Sequence, residues 1–197
     1  MPARIPDWVR RVGSVVASPA ERENALHEWR RRRRGEPDLP PVPLRNILVL
    51  CLGNICRSPF AEGLLASRHP ELALRSAGLR AGAGDPADPA ALRAAARFGV
   101  DLASHKARPL AAEDVGWADL ILAMEGQHLA RLVRSWPQGR PKAYLLGDFL
   151  SVPPFAICDP WGQSDDVFDR TFQRIEAAVA QVSARLAARG RGCSGGS

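Results

Sequence analysis

"RNILVLCLGNICRSPF", residues 45–60, decides the fold. Ile47, Leu48, Val49 and Leu50 run on without polar alternation, so both faces of this strand are expected to be buried. The turn "CLGNICRSP" (51–59) follows at once, and "PFAEGLLASRH" (59–69) then shows helical spacing. Strands are expected again at 72–78 ("LALRSAG"), 118–125 ("ADLILAME") and 141–147 ("PKAYLLG"). Helices are expected at 86–101, at 127–136 before Pro137, and at 164–190, where Phe168, Phe172, Ile175 and Val179 share one face. Alternating strands and helices predict the α/β class: a three-layer α/β/α domain with a four-stranded parallel sheet. Ligands of such sheets bind beyond the carboxyl ends of the strands, which is where residue 51 lies.

The turn itself admits three chemistries: a metal knuckle, a redox pair or a nucleophile cradle. Cys51 and Cys56 have no partner C-x2-C or H-x3-H, and His27, His69 and His128 lack ligand spacing, so no metal and no cofactor are expected. A thiol attacks only as thiolate, and a free pKa of about 8.5 leaves little of it at neutral pH. Cys51 faces the start of the next helix, whose unpaired N–H groups and dipole favour negative charge. The spacing to Arg57 lets a loop curl so that backbone amides and a guanidinium converge on one oxyanion above the sulfur. Leu52, Gly53, Asn54, Ile55, Cys56 and Ser58 would then form a phosphate-binding loop after the first strand. Gly53 permits a backbone conformation closed to other residues, and Asn54 tolerates left-handed geometry while its side chain can brace the loop. Ser58 and Pro59 read as an N-cap and a first-turn proline.

"VLCLGNICRSPFAEGLL" closely resembles the active-site segment of the low-molecular-weight protein tyrosine phosphatases, bacterial type, whose signature is C-x5-R-S. The resemblance covers roughly residues 45–190 and includes "SAG" (76–78), "PADPAAL" (86–92), "GVDLASHKARPL" (99–110), "ADLILAM" (118–124), "LLGDF" (145–149) and "DPWG" (159–162). It implies a phosphotyrosine phosphatase working through a phosphocysteine, with Cys51 as nucleophile, Arg57 holding phosphate and Asp159 as general acid and then base. It also implies that Ser58 hydrogen-bonds the nucleophile, that Asn54, Ser76 and His105 support the loop, and that Cys56 is a redox partner of Cys51. The implied partner is a phosphorylated protein, a tyrosine kinase or its substrate.

Several positions depart from the family pattern. Many members carry an aromatic residue a few positions after "SAG", where this chain has Gly82; Trp161 would supply the opposite wall of the slot. Ile55 fits phosphotyrosine enzymes, whereas phosphoarginine phosphatases typically carry Thr there, and protein-arginine phosphatase is the second reading. Arsenate reductases of similar fold need relay cysteines that the segment 120–132 lacks. Glu125 stands where many members have Asp, so no role is carried over to it.

Residues 1–44 lie outside the resemblance and read as a basic N-terminal extension, followed by a phosphatase domain at 45–190 and a flexible tail at 191–197. Trp8, Val9, Val12, Val15 and Val16 suggest one short amphipathic helix. Ser18, Pro19 and Glu21 form a capping-box signature for a second, expected to be ended by Arg30, Arg31, Arg32, Arg33 and Arg34. A proline-rich linker, 35–43, comes next. The arginines also support a non-enzymatic reading, a module binding nucleic acid or an anionic membrane surface; a solvated helix end is the simpler account. Across 197 residues the net charge is +6, which favours anionic partners. Four cysteines are too few for a disulfide scaffold and fit a cytoplasmic protein. No apolar run approaches the roughly 18 residues that span a bilayer.

Overall fold

The computed structural model describes residues 18–192. The first expected helix, Cys193 and residues 193–197 of the tail lie outside the described residues. Four parallel strands, β1 (Asn46–Cys51), β2 (Ala73–Gly78), β3 (Leu120–Ala123) and β4 (Ala143–Leu145), form one sheet in the order β2-β1-β3-β4. Six helices accompany them among the described residues: α1 (Pro19–Arg34), α2 (Arg57–Arg68), α3 (Pro89–Ala96), α4 (Ala112–Trp117), α5 (Gly126–Ser135) and α6 (Asp165–Gly192).

β1 explains the layering. Its side chains alternate: Ile47 and Val49 enter a core with Phe60 of α2 and Phe168, Phe172 and Ile175 of α6, while Leu48 and Leu50 enter a second core with Val115 of α4 and Leu132 of α5. All four β1 residues are fully buried, as an uninterrupted apolar strand in a parallel sheet requires. Phe60 stacks on Phe172 with ring centroids 4.0 Å apart, tying α2 to α6 beneath the site. Burying one such side chain contributes about 2–3 kcal/mol. The chain runs from β1 to β2 on one side and later returns to β3 on the other. The carboxyl end of β1 is therefore the switch point of the sheet, and Cys51 stands on it.

Several local expectations change. α2 begins at Arg57, two residues earlier than its apolar spacing indicates, so Ser58 lies inside the helix and caps nothing. Its hydroxyl is used on Cys51 instead. β4 keeps only three residues, because 3-10 turns at Pro137–Lys142 and Leu146–Phe149 occupy its flanks. α4 was not expected; six residues are too few to display a helical period.

α1 carries the expected capping box, with Glu21 N–H donating to Ser18 Oγ and Ser18 N–H to Glu21 Oε2. The five arginines do not end it. They form its last turns, favoured there by the helix dipole, and Gly35 at φ 79° stops it. Arg31 turns inward, donating from Nε and Nη2 to the Asp148 carbonyl and covering the Phe155 ring. His27 Nε2 lies 2.7 Å from Asp148 Oδ1. Arg189 of α6 holds the Leu39 and Pro40 carbonyls, and Leu39 is buried in the core, so residues 18–44 lie against the sheet domain.

Candidate active site

Residue 54 shapes the loop between β1 and α2. Asn54 is the one residue other than glycine at positive φ (55°) among the described residues, and it is completely buried. Gly53 is not left-handed, and a β-carbon there would make only an ordinary contact with Ile55 at 3.5 Å. The expectation that Gly53 supplies the special conformation is corrected: Asn54 does so. A left-handed asparagine costs little, because its short polar side chain bonds locally. The glycine that the loop does require is Gly78, at the end of β2. A β-carbon at Gly78 would lie 2.8 Å from the Leu52 carbonyl oxygen and 3.0 Å from the Asn54 nitrogen.

The hydrogens around Asn54 are fixed by one donor. The Arg108 N–H can meet only an oxygen, so Asn54 Oδ1 faces it at 3.0 Å. Nδ2 therefore points the other way and donates to Ser58 Oγ (3.0 Å) and Ser76 Oγ (2.8 Å). Ser58 Oγ, accepting from Asn54, also lies in hydrogen-bond contact with Cys51 Sγ at 3.0 Å, and its own hydrogen is free to point at the sulfur when that is a thiolate. The Asn54 N–H donates to the same sulfur at 3.2 Å. His105 Nε2 donates to the Asn54 carbonyl at 2.6 Å, which sets its tautomer. Arg108 in turn is held by Asp114, whose carboxyl lies below its usual range: burial raises it, but bonds from Arg108, Ala111 N–H and Arg75 prevail.

Arg57 is buried, at 1% exposure, and its charge is shared by two carboxylates from distant segments. Nη1 donates to Glu125 Oε1 (2.6 Å) and to the Ile157 carbonyl (2.8 Å); Nη2 donates to Asp159 Oδ2 (2.5 Å). Burial opposes the charge on Arg57, but Cys51, Asp159 and Glu125 around it outweigh that and raise its pKa. Glu125 is likewise pushed up by burial and pulled further down by Arg57, so it is ionised. Nε of Arg57 is buried and has no hydrogen-bond partner among the described residues. A buried donor without a protein acceptor is one that a bound oxygen can satisfy.

Cys51, Leu52, Gly53, Ile55, Cys56, Arg57, Asp159 and Trp161 line one cavity of about 310 Å³, and Arg80 joins them at its mouth. Asn54, Ser58, Ser76 and His105 lie behind this lining and brace it. Trp161 is 65% exposed, with its N–H on Asp159 Oδ1. The two loop cysteines are free and differ in character. Burial, aided by the charges of Asp88, Asp159 and Cys51, pushes the Cys56 thiol well up, so it stays protonated. Three participants escaped the sequence reading. Glu125, set aside for its departure from Asp, is a direct partner of Arg57; its place straight after a buried strand was the available signal. Arg80 and the Ile157 carbonyl carried no signal in residue type or spacing.

Such a cavity, at the switch point of a parallel sheet and floored by a cysteine and an arginine separated by five residues, places the chain among the cysteine-dependent phosphatases. Comparison with known proteins makes the family specific. Residues 46–191 match the low molecular weight phosphotyrosine protein phosphatases, and the chain belongs to that family. It is 41% identical over 145 residues to the low molecular weight protein-tyrosine-phosphatase Etp of Escherichia coli, covering 74% of this chain and 97% of Etp. Among solved structures it resembles the Erwinia amylovora tyrosine phosphatase AmsI (38% identity, TM-score 0.69, 72% of this chain and 92% of AmsI). It also resembles the YwlE arginine phosphatase of Geobacillus stearothermophilus (30%, TM-score 0.70, 75% and 95%). The matched region begins at β1, so α1 lies outside it.

Proposed function

We propose that the chain hydrolyses phosphotyrosine in proteins through a phosphocysteine intermediate. The observation that carries this reading is the pairing of Cys51 Sγ, which accepts from the Asn54 N–H and is hydrogen-bonded to Ser58 Oγ, with a buried Arg57 whose Nε is uncommitted. A sulfur that accepts an N–H and has a hydroxyl within reach to donate is prepared to hold negative charge. The Cys51 thiolate attacks phosphorus in line while Arg57 and the loop amides bind the equatorial oxygens. The bond from phosphorus to the tyrosine oxygen breaks, and Asp159 gives its proton to the leaving phenolate. Asp159, now a carboxylate, takes a proton from water, which attacks the phosphocysteine and releases phosphate and the Cys51 thiolate. Asp159 is suited to this cycle because its side chain is 38% exposed and can exchange Arg57 for a leaving group. Trp161 and Ile55 provide apolar surface at the mouth for an aromatic ring.

The phosphorylated partner is a tyrosine kinase or its substrate. A second reading, phosphoarginine, has the likeness to an arginine phosphatase and the missing ring near Gly82 in its favour. Arg80 at the mouth weighs against it, since a phosphoarginine side chain would bring a second guanidine beside that charge. Kinetics on phosphotyrosine, phosphoserine and phosphoarginine peptides decide between them. Cys51→Ser is expected to lower kcat at least about a thousandfold on every substrate. Full activity in Cys51→Ser would falsify the mechanism.

A further inference from the structure

α1 lies outside the family match, yet one of its side chains reaches the partners of Arg57. The contact is close enough to depend on a glycine. A β-carbon at Gly126, the first residue of α5, would lie 2.6 Å from the Glu23 carbonyl oxygen and 3.1 Å from the Asn24 nitrogen. At this crossing the Gly126 N–H donates to Asn24 Oδ1 at 2.7 Å. Nδ2 of the same side chain donates to Glu125 Oε2 at 3.4 Å, a weak bond, which Gln127 Nε2 reinforces at 3.1 Å. The other carboxylate oxygen, Oε1, is the one on Arg57 Nη1.

Glu125 occupies the N-cap position of α5 but makes no cap bond of its own, because its carboxylate is turned toward Arg57. The cap comes from Asn24, an asparagine 101 positions earlier in the chain than Glu125. We propose that Asn24 is a positioning residue, an N-cap supplied by the extension that holds the Glu125 carboxylate on Arg57 and so sets the guanidinium for phosphate. The inference rests on the reading of Arg57 as the phosphate ligand.

The physical consequence follows from how two carboxylates share one arginine. If Glu125 turns away, Nη1 keeps only the Ile157 carbonyl, and the buried charge of Arg57 falls to Asp159 alone. Asp159 is then held as a counter-ion when it is needed as an acid. The guanidinium is drawn toward the rim and away from the sulfur. Asn24 opposes this by fixing the backbone of the β3–α5 turn and one carboxylate oxygen together. Docking of α1 is supported independently by His27 and Arg31 on Asp148, so loss of the Asn24 side chain leaves the helix in place.

The test uses the full chain with Asn24→Asp and Asn24→Ala, measuring turnover of para-nitrophenyl phosphate, inhibition by inorganic vanadate and thermal unfolding. Aspartate keeps the acceptor for the Gly126 N–H but sets a carboxylate against Glu125. Its melting temperature is expected to fall modestly, because two carboxylates then face each other, while KM and the vanadate Ki each rise about 3- to 10-fold, as for neighbours in one hydrogen-bonded network. Asn24→Ala is expected to show the same rise together with a lower melting temperature. A purely structural role would move melting temperature and leave vanadate affinity alone. Asn24→Asp with wild-type KM and vanadate Ki, in an active enzyme, overturns this inference by itself. A wild-type chain inert toward para-nitrophenyl phosphate overturns the phosphatase reading and this inference with it.

Discussion

The floor and the rim of the cavity are built in opposite ways. At the floor, Cys51, Asn54, Arg57, Ser58 and Ser76 are all buried, and Asn54 alone takes part in bonds to Cys51, Ser58, Ser76, Arg108 and His105. At the rim, Trp161 is exposed, Asp159 is half-exposed, and no carboxylate among the described residues pairs with Arg80. A rigid floor suits what every phosphate monoester shares, three oxygens around one phosphorus. A sparse rim suits what differs between substrates and what has to move, namely the leaving group, its neighbours and the proton.

The largest effect of breaking this contrast is expected at the point where rim meets floor. Asp159→Ala removes the proposed acid together with one of the two carboxylates on Arg57. The expected loss in kcat is about 10²- to 10⁴-fold for alkyl-substituted phenyl phosphates, whose leaving groups need a proton. For para-nitrophenyl phosphate, whose leaving group departs as a stable anion, the loss is smaller. Rates across a series of aryl phosphates should therefore depend more steeply on leaving-group pKa in the variant. Equal slopes in the two proteins would rule out Asp159 as the acid.

Asn54→Ala attacks the floor alone. It leaves Ser58, Ser76 and the Arg108 N–H without their shared partner and puts an alanine at φ 55°, where its β-carbon is strained by about 1–2 kcal/mol. With lost buried hydrogen bonds at about 1–3 kcal/mol, stability should fall by roughly 2–4 kcal/mol, read from urea unfolding. A fall in kcat/KM of about 10- to 100-fold should accompany it, because the sulfur loses the oriented Ser58 hydroxyl. A variant destabilised to that extent but fully active would show that catalysis does not need a rigid floor.

The contrast also explains what was legible in the sequence. Cys51, Asn54, Arg57 and Ser58 lie within one strand-to-helix turn, so residue order alone nearly fixes their geometry. Ser76 follows from register, since β2 runs parallel to β1 with Val49 opposite it. Glu125, Asn24 and Arg80 reach the site through the packing of separate elements, and spacing cannot register that. Gly53 misled because glycine permits a left-handed conformation without requiring one, while asparagine has that capacity and the donors to exploit it. The arginine run resembles a stop signal by its charge density, yet arginine is a good helix former and belongs at a helix carboxyl end. α1 docking depends on Gly126, whose lack of a side chain becomes informative only when Glu23 is seen against it.

The smallest effect is expected at the rim. Trp161 contributes no hydrogen bond from its ring to the described residues, and its backbone N–H on Asp159 survives substitution. Trp161→Ala should therefore leave stability and inhibition by inorganic vanadate unchanged, since vanadate touches only the floor. A phosphotyrosine peptide loses a stacking surface worth about 0.5–1.5 kcal/mol, so its KM should rise roughly 3- to 10-fold with kcat little altered. The vanadate comparison gives this prediction its discrimination. If vanadate affinity falls together with peptide affinity, Trp161 supports the floor through Asp159 and the division between the two regions is wrong. If only the peptide is affected, the rim reads the side chain that carries the phosphate and the floor reads the phosphate itself.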